Sequence, residues 1–341
     1  MKVAMYYSQG DIRIEEVDKP RIEEDEILVQ MKACGLCGSD LMDWYLEPKA
    51  PLVLGHEPAG VIVDKGKKVK GFEIGDRVFA HHHVACMTCH YCLNGDYTLC
   101  KEFHETHLKP GGFAEFFAVP SPNLRLDTLK IPDTMSFEQA TLIEPVGCCV
   151  RALTKCRTKV GDSVAIVGAG PTGLIHTSLA KIYGASQVIV SDLIDFRLEL
   201  AKSLGADVVV NSGKESMMDA VKRETDGRGV DLAIVTAPNL NAYRTGVDVC
   251  RKGGKLCVFA PTSPKVLFQL SLKEMFFSEL QLIPSYSTSH VETRVALELL
   301  CSRKICLDRL ITHRFRLEDA SRAFQTALAG KNSLKVLVLN E

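Results

Sequence analysis

The stretch from Ser163 to Ala185 reads SVAIVGAGPTGLIHTSLAKIYGA, and its reading decides the fold. A short apolar strand, Val164 to Val167, runs into Gly168, Gly170 and Gly173, then into a helix with Leu174, Ile175, Leu179 and Ile182 on one face. Gly168 permits the tight turn, Gly170 lets a pyrophosphate approach the backbone, and Gly173 brings helix and strand close. Pro171 sits in the first helical turn, where its missing N–H costs nothing; Thr172 completes the loop, and Gly184 is placed to end the helix. The free N–H groups and the positive end of the helix dipole then face phosphates. The next strand, VIVSD, ends on Asp192, whose carboxylate can accept ribose hydroxyls and would repel a 2′-phosphate. That favours NAD over NADP, a preference that Arg197 is near enough in sequence to blunt.

Strand and helix keep alternating outward from this loop: DLIDFRLELAKSLGA, DVVVN, KESMMDAVKRET, DLAIVTA, a helix around residues 242–250, and KLCVFA after Gly253 and Gly254. This is the rhythm of an α/β, doubly wound parallel sheet over residues 145–283, with the cofactor across the carboxyl ends of its strands. Earlier segments differ. EILVQMKACG, GVIVDKG and GDRVFA are short strands punctuated by Gly and Pro, the pattern of a β-rich, barrel-like domain. Periodicity leaves a helix over 291–303 and a strand at LKVLVLN open to either domain.

A chain of 341 residues suits two domains. Lys plus Arg number 41 against 42 Asp plus Glu, with no block of one sign, so neither nucleic acid nor an anionic membrane is an expected partner. A small ligand is. No segment approaches the roughly 20 apolar residues of a membrane helix. MKVAMYYSQGDIRI lacks an apolar leader core and alternates like a strand, so a mature, cytoplasmic protein is expected. Thirteen cysteines is an odd count in a chain too large to need disulfide staples. Cys148, Cys149, Cys156, Cys250, Cys257, Cys301 and Cys306 sit in or beside apolar runs and read as small hydrophobes.

Cys86, Cys89, Cys92 and Cys100 are different, being spaced C-x2-C-x2-C-x7-C. Four thiolates close a tetrahedral zinc and leave no open position, so the expected role is structural. A ferredoxin-type cluster would continue x3-C-P, and a nucleic-acid ribbon would be more basic. A second centre is drawn by Cys37 in ACGLCGSD and His56 and Glu57 in LGHEPAG: a thiolate, an imidazole and a carboxylate, the three ligands of a catalytic zinc that keeps one exchangeable position. Glu144, in LIEPVG, is an isolated acid in apolar surroundings. Cys37, His56 and Glu144 have plain alternatives: a core thiol, a loop histidine and a helix-start cap.

With these motifs in this order (CGSD from Cys37, GHEPAGVI from Gly55, GDRV from Gly75, the cysteine lobe, Glu144–Pro145, GAGPTG from Gly168), the chain resembles the zinc-dependent medium-chain alcohol dehydrogenases, in their polyol and threonine branch. The resemblance spans essentially the whole chain. It implies a GroES-like catalytic domain over 1–144, a Rossmann domain over 145–283, and a return to the catalytic domain over 284–341. It also implies a homo-oligomer, dimer or tetramer, and a catalytic zinc on Cys37, His56 and Glu57, with Glu144 either binding it or holding its water. The reaction implied is oxidation of a secondary alcohol of a polyol or sugar derivative to a ketone, with NAD as hydride acceptor. The alternatives are a threonine-type amino-alcohol dehydrogenase and a non-catalytic NAD-binding redox sensor.

The same resemblance makes Ser39 the acceptor of the alcohol proton and gives Asp40 an orienting or purely structural part. Many relatives continue CG(S/T)D-x-H and pass the proton through that histidine; here the position is Met42, so the proton leaves by water, by the cofactor ribose or by another residue. His82, four residues before Cys86, falls where relatives line the substrate pocket, and an imidazole there suits a polar substrate. The neighbouring His81 and His83 read otherwise as a solvated strand end. Trp44 and Tyr45 either wall the same pocket or simply pack.

Overall fold

In the computed structural model, which describes residues 1–340, the chain divides into two compact units. One comprises Met1–Gly147 together with the chain from Thr288 onward, and the other is Cys148–Ser287. Among the described residues no helix is long and apolar enough to cross a membrane.

The first unit is built on a seven-stranded sheet. Its path runs through Ile311–Arg316, Lys335–Leu339, Ile27–Gly35, Glu57–Lys65, Arg77–Ala80 and Thr128–Lys130, with Phe116–Val119 also pairing to Ile27–Gly35. Every pair is antiparallel except Ile311–Arg316 with Lys335–Leu339. Apolar side chains of these strands and of the helix Ala320–Ala329 fill one core, in which Phe113 and Phe324 meet edge to face at 5.6 Å. The carboxyl-terminal strand belongs here because Leu337 and Val338 pair with Gly35 and Cys34 in register. That register sets Lys335 beside the turn leaving Ile27–Gly35, where it donates to the carbonyl of Leu36 at 3.1 Å. No short-range pattern in the sequence marks this placement.

The second unit holds six parallel strands in the order Val208–Asn211, Gln187–Asp192, Ser163–Val167, Val230–Val235, Cys250–Val258, Gln281–Pro284. The two central strands are buried along their whole length, which is why they read as unbroken apolar runs rather than alternating ones. This is the doubly wound order, and it bears out the expected α/β Rossmann part.

At the amino ends of three neighbouring strands one carboxylate is shared. Asp231 Oδ2 accepts from the Ser163 amide at 2.8 Å and its hydroxyl at 2.7 Å, and Oδ1 accepts from Arg251 Nε at 2.6 Å. Burial alone would raise this carboxyl; the Ser163 donors and the guanidinium outweigh it and hold the pKa at about 2, below an ordinary 3.8. A carboxyl depressed in the folded state stabilises above its unfolded pKa and loses that contribution as pH falls through the folded one. Asp231→Asn is therefore expected to cost about 2 kcal/mol at neutral pH, and the difference from the parent should vanish as pH falls from 3.8 to about 2. Urea midpoints across that range measure it; a pH-independent difference would assign the loss to packing.

Candidate functional site

The strand Ile27–Gly35 ends in a tight turn that delivers Cys37, followed by the single-turn helix Gly38–Leu41. The neighbouring strand Glu57–Lys65 opens with Glu57 directly opposite Gly35, and His56 precedes it. Donor atoms of Cys37, His56 and Glu57 all fall within 4.8 Å of one another, among the described residues one of three such groups. Gly35 is part of the arrangement, because a Cβ there would stand 1.9 Å from Glu57 Oε2.

Two further side chains orient these donors. Asp40 is buried and accepts from the Cys37 amide at 3.0 Å while its other oxygen stands 3.4 Å from His56 Nδ1. A proton held on Nδ1 toward Asp40 leaves the Nε2 lone pair as the ligand, the usual arrangement behind a metal-bound histidine. Burial would depress His56, but the charges of Asp40 and Cys37 outweigh it and raise its pKa well above the ordinary value, the mark of an anionic pocket that attracts a cation. Lys335, buried, donates to both Glu57 oxygens at 2.7 Å. Burial and the nearby Glu144 push the Glu57 carboxyl up while Lys335 opposes them. Each oxygen keeps a lone pair beyond the one Lys335 uses, so the carboxylate can still face a metal. Soft sulfur, borderline imidazole and a carboxylate in one partly buried group fit zinc.

Glu144 lies in the first turn of the helix Ile143–Lys155, buried, and is not among the donors gathered within 4.8 Å. Ser39 is half-buried in the turn Gly38–Leu41, and its carbonyl accepts from Met42 N at 3.3 Å. His82 comes within 6.3 Å of His56, centroid to centroid, and its Nδ1 is buried without a hydrogen-bond partner. His81 is not solvated: it is buried, with Nδ1 2.8 Å from Asp127, which in turn accepts from Thr293 at 2.6 Å. Trp44 and Tyr45 stand more than a third exposed on the short helix Asp43–Leu46. Lys335 escaped the sequence reading; its one signal was a lysine opening an apolar strand.

The four lobe cysteines also lie within 4.8 Å of one another. Sγ of Cys89 and Cys92 are 3.5 Å apart and those of Cys86 and Cys92 3.8 Å, close to the ~3.8 Å edge of a tetrahedron with Zn–S of about 2.3 Å. The Thr88 hydroxyl and amide and the Cys89 amide all point at Cys86 Sγ and lower its pKa to about 6. Apart from the cysteines, Phe103, Ala85 and the partly buried Tyr97 back this small cluster, too little core to order the loop unaided.

In the second unit Gly168 adopts φ +105°, and a Cβ on Gly173 would stand 2.0 Å from the Gly168 carbonyl, so both glycines serve the turn itself. Among the described residues nothing beyond its own chain neighbours lies within 4 Å of where a Cβ on Gly170 would sit, so the space there is open to a cofactor. The helix begins at Pro171 as expected. Asp192 accepts from the amides of Leu193 at 2.8 Å, Ile194 at 3.0 Å and Ala169 at 2.7 Å, with Arg197 at 3.9 Å. It thus ties the glycine loop to the second strand, a structural duty the sequence did not reveal.

Residues 23–133 match the family model of the alcohol dehydrogenase GroES-like domain, and residues 171–302 that of the zinc-binding dehydrogenases. The chain is 34% identical to sorbitol dehydrogenase of Bacillus subtilis, over 99% of this chain and 97% of that protein. It is 31% identical to L-threonine 3-dehydrogenase of Salmonella paratyphi B, over 97% of each. A zinc-binding dehydrogenase from Sinorhizobium meliloti, solved bound to NADP, superposes with a TM-score of 0.88 at 28% identity over 99% of both chains.

Proposed function

The chain belongs to the zinc-dependent medium-chain alcohol dehydrogenases, in their polyol and threonine branch, and from that membership we propose that this alcohol oxidoreductase oxidises a secondary alcohol of a polyol or sugar derivative to a ketone, reducing NAD. The observation that carries the reading is the joined donor set of Cys37, His56 and Glu57, its carboxylate paired with a buried lysine. A zinc held there supplies Lewis-acid polarisation of the substrate hydroxyl, lowering its pKa toward neutrality, and the nicotinamide takes up the hydride.

The chain's own residues do the rest. Ser39 would take the hydroxyl proton at Oγ while passing its own to water or the cofactor ribose, and bound NAD would supply the hydride acceptor, so that ketone, NADH and one proton balance the reaction. Met42 cannot carry that proton onward. Asp40 orients His56, and Glu144 holds a water or joins the donors as they rearrange. His82 offers the substrate a hydrogen-bonding imidazole, its ring centroid 6.3 Å from that of His56. Gly168, Gly170, Pro171, Thr172 and Gly173 cradle the pyrophosphate, and Asp192, modulated by Arg197, receives the ribose. The second zinc, on the cysteine lobe, is structural.

Turnover of a panel of sugar alcohols, sugar acids, their phosphates and threonine, with NAD and NADP, tests this. One stereochemical class of polyol should reduce NAD in preference to NADP, and Asp192→Ala should erase the preference. Threonine as sole substrate would select the amino-alcohol reading, which the threonine dehydrogenase relative favours. Preference for NADP would overturn the assignment of Asp192.

We also assign the protein to the cytoplasm, where thirteen thiols stay reduced; recovery from an oxidising compartment would contradict this. A homo-oligomer is the third part of the proposal. Leu267, Leu272, Phe276 and Phe277 are at least 70% exposed, close in sequence to the edge strand Gln281–Pro284. Such a patch beside an open edge calls for a second copy. Sedimentation should show a multiple of 37.5 kDa, and a single-chain mass would refute it.

A further inference from the structure

Three imidazoles outside the Cys37 centre converge within the first unit. Ring centroids of His82 and His83 are 4.1 Å apart, those of His82 and His107 4.9 Å, and those of His83 and His107 5.2 Å. His107 Nδ1 stands 3.2 Å from His82 Nε2, and one nitrogen of each ring lies within 4.8 Å of the other two.

The two chain segments that bear them are fastened together. Val84 N donates to Thr106 Oγ1 at 2.9 Å and that hydroxyl donates back to the Val84 carbonyl at 3.3 Å, next to His83 and His107 respectively. Asn123 Nδ2 donates to the carbonyls of His81 and His82, each at 2.9 Å. The rings are therefore presented by a braced loop rather than by a flexible one. His83 Nδ1 faces the Thr106 carbonyl at 2.9 Å; a carbonyl only accepts, so the proton is on Nδ1 and the lone pair on Nε2. Burial, and the neighbouring rings for His82 and His83, lower all three pKa values, His83 to about 2, which leaves the rings neutral and able to ligate.

We propose that His82, His83 and His107 form a metal site, separate from the cysteine lobe and the Cys37 centre, that takes a borderline divalent transition ion such as Zn²⁺. Three nitrogen donors with no oxygen exclude Mg²⁺ and Ca²⁺. His107 is exposed, so the ion enters from solvent and keeps a water position. Lys49, close enough to depress His107, opposes the cation, so the site binds reversibly and more weakly than a closed cysteine cage. Ligation through His82 Nε2 places that ring's proton on Nδ1, making it an obligatory donor; this consequence alone rests on the proposed substrate contact, and the metal site does not.

Calorimetric titration of the full-length protein with Zn²⁺, after gel filtration to constant metal content, tests the site. A further equivalent of Zn²⁺ should bind, with no heat from Mg²⁺. His107→Asn and, separately, His83→Gln should each weaken it at least about tenfold, the usual effect of disturbing a ligand set. Starting metal content by mass spectrometry and the thermal midpoint should match the parent, showing that fold and other centres are intact. Absence of a further equivalent in the parent overturns the proposal, as does unchanged affinity in both variants.

Discussion

Cys37→Ser is expected to lower turnover at least about a thousandfold while metal content drops from about two zincs per chain to about one. The magnitude follows from what a Lewis acid contributes: several kcal/mol of charge stabilisation, at about 1.4 kcal/mol for each factor of ten in rate. Sulfur is the softest donor of the set and the one that anchors zinc against water, so a hydroxyl at position 37 leaves His56 and Glu57 as a weak two-ligand site. Asp40 accepts from the backbone amide of residue 37, not from its side chain, so the substitution leaves the Gly38–Leu41 turn in place. The lobe serves as the internal control, since its four sulfurs sit among residues 86–100 and share no donor with this centre. Cys100→Ser should do the reverse, releasing the lobe zinc and unravelling a loop with little apolar backing. If Cys37→Ser kept both zincs and near-normal turnover, the centre would have to be placed elsewhere.

Much of this arrangement is legible in the sequence because its parts are local. The glycine loop, the cysteine lobe and the pair His56–Glu57 each lie within a short stretch of chain, so spacing marks them as candidates, and the resemblance supplies the role expected of His56 and Glu57. What is hidden depends on strand register. Lys335 reaches Glu57 across 278 positions because Leu337 and Val338 pair with Gly35 and Cys34, and no periodicity shows which edge a terminal strand will join. The histidine run likewise divides by tertiary contact. His81 turns inward to Asp127, a residue with nothing in its local sequence to mark it as a partner, whereas His83 is joined to His107 through Thr106. Asp192 shows the converse: its motif announces a cofactor contact, while three amide bonds show that it also holds the loop together.

Lys335→Met should destabilise the protein by about 3–5 kcal/mol, the cost of leaving one charge of a buried pair without its partner. Methionine keeps the volume and the apolar stem, so the change isolates the ammonium. Glu57 is fully buried and Lys335 nearly so, and solvent does not screen their loss as it would at the surface. Deprived of Lys335, Glu57 loses the larger of the charges that lower its pKa, leaving burial and Glu144 opposed by His56 alone, and takes a proton more readily. A protonated carboxyl is a poor ligand. A carboxyl whose pKa is raised is lost as a ligand at a higher pH on acidification, so the variant should release the Cys37-centre zinc at a pH above that of the parent. Urea midpoints and zinc content across pH 4–8 measure the two effects together. Adding Glu57→Gln to the variant should recover part of the stability, because it removes the orphaned charge, but should not restore zinc binding. That split distinguishes a lysine acting through a ligand from one that merely packs: a packing role predicts lost stability with zinc release at the parental pH, and no recovery in the double variant.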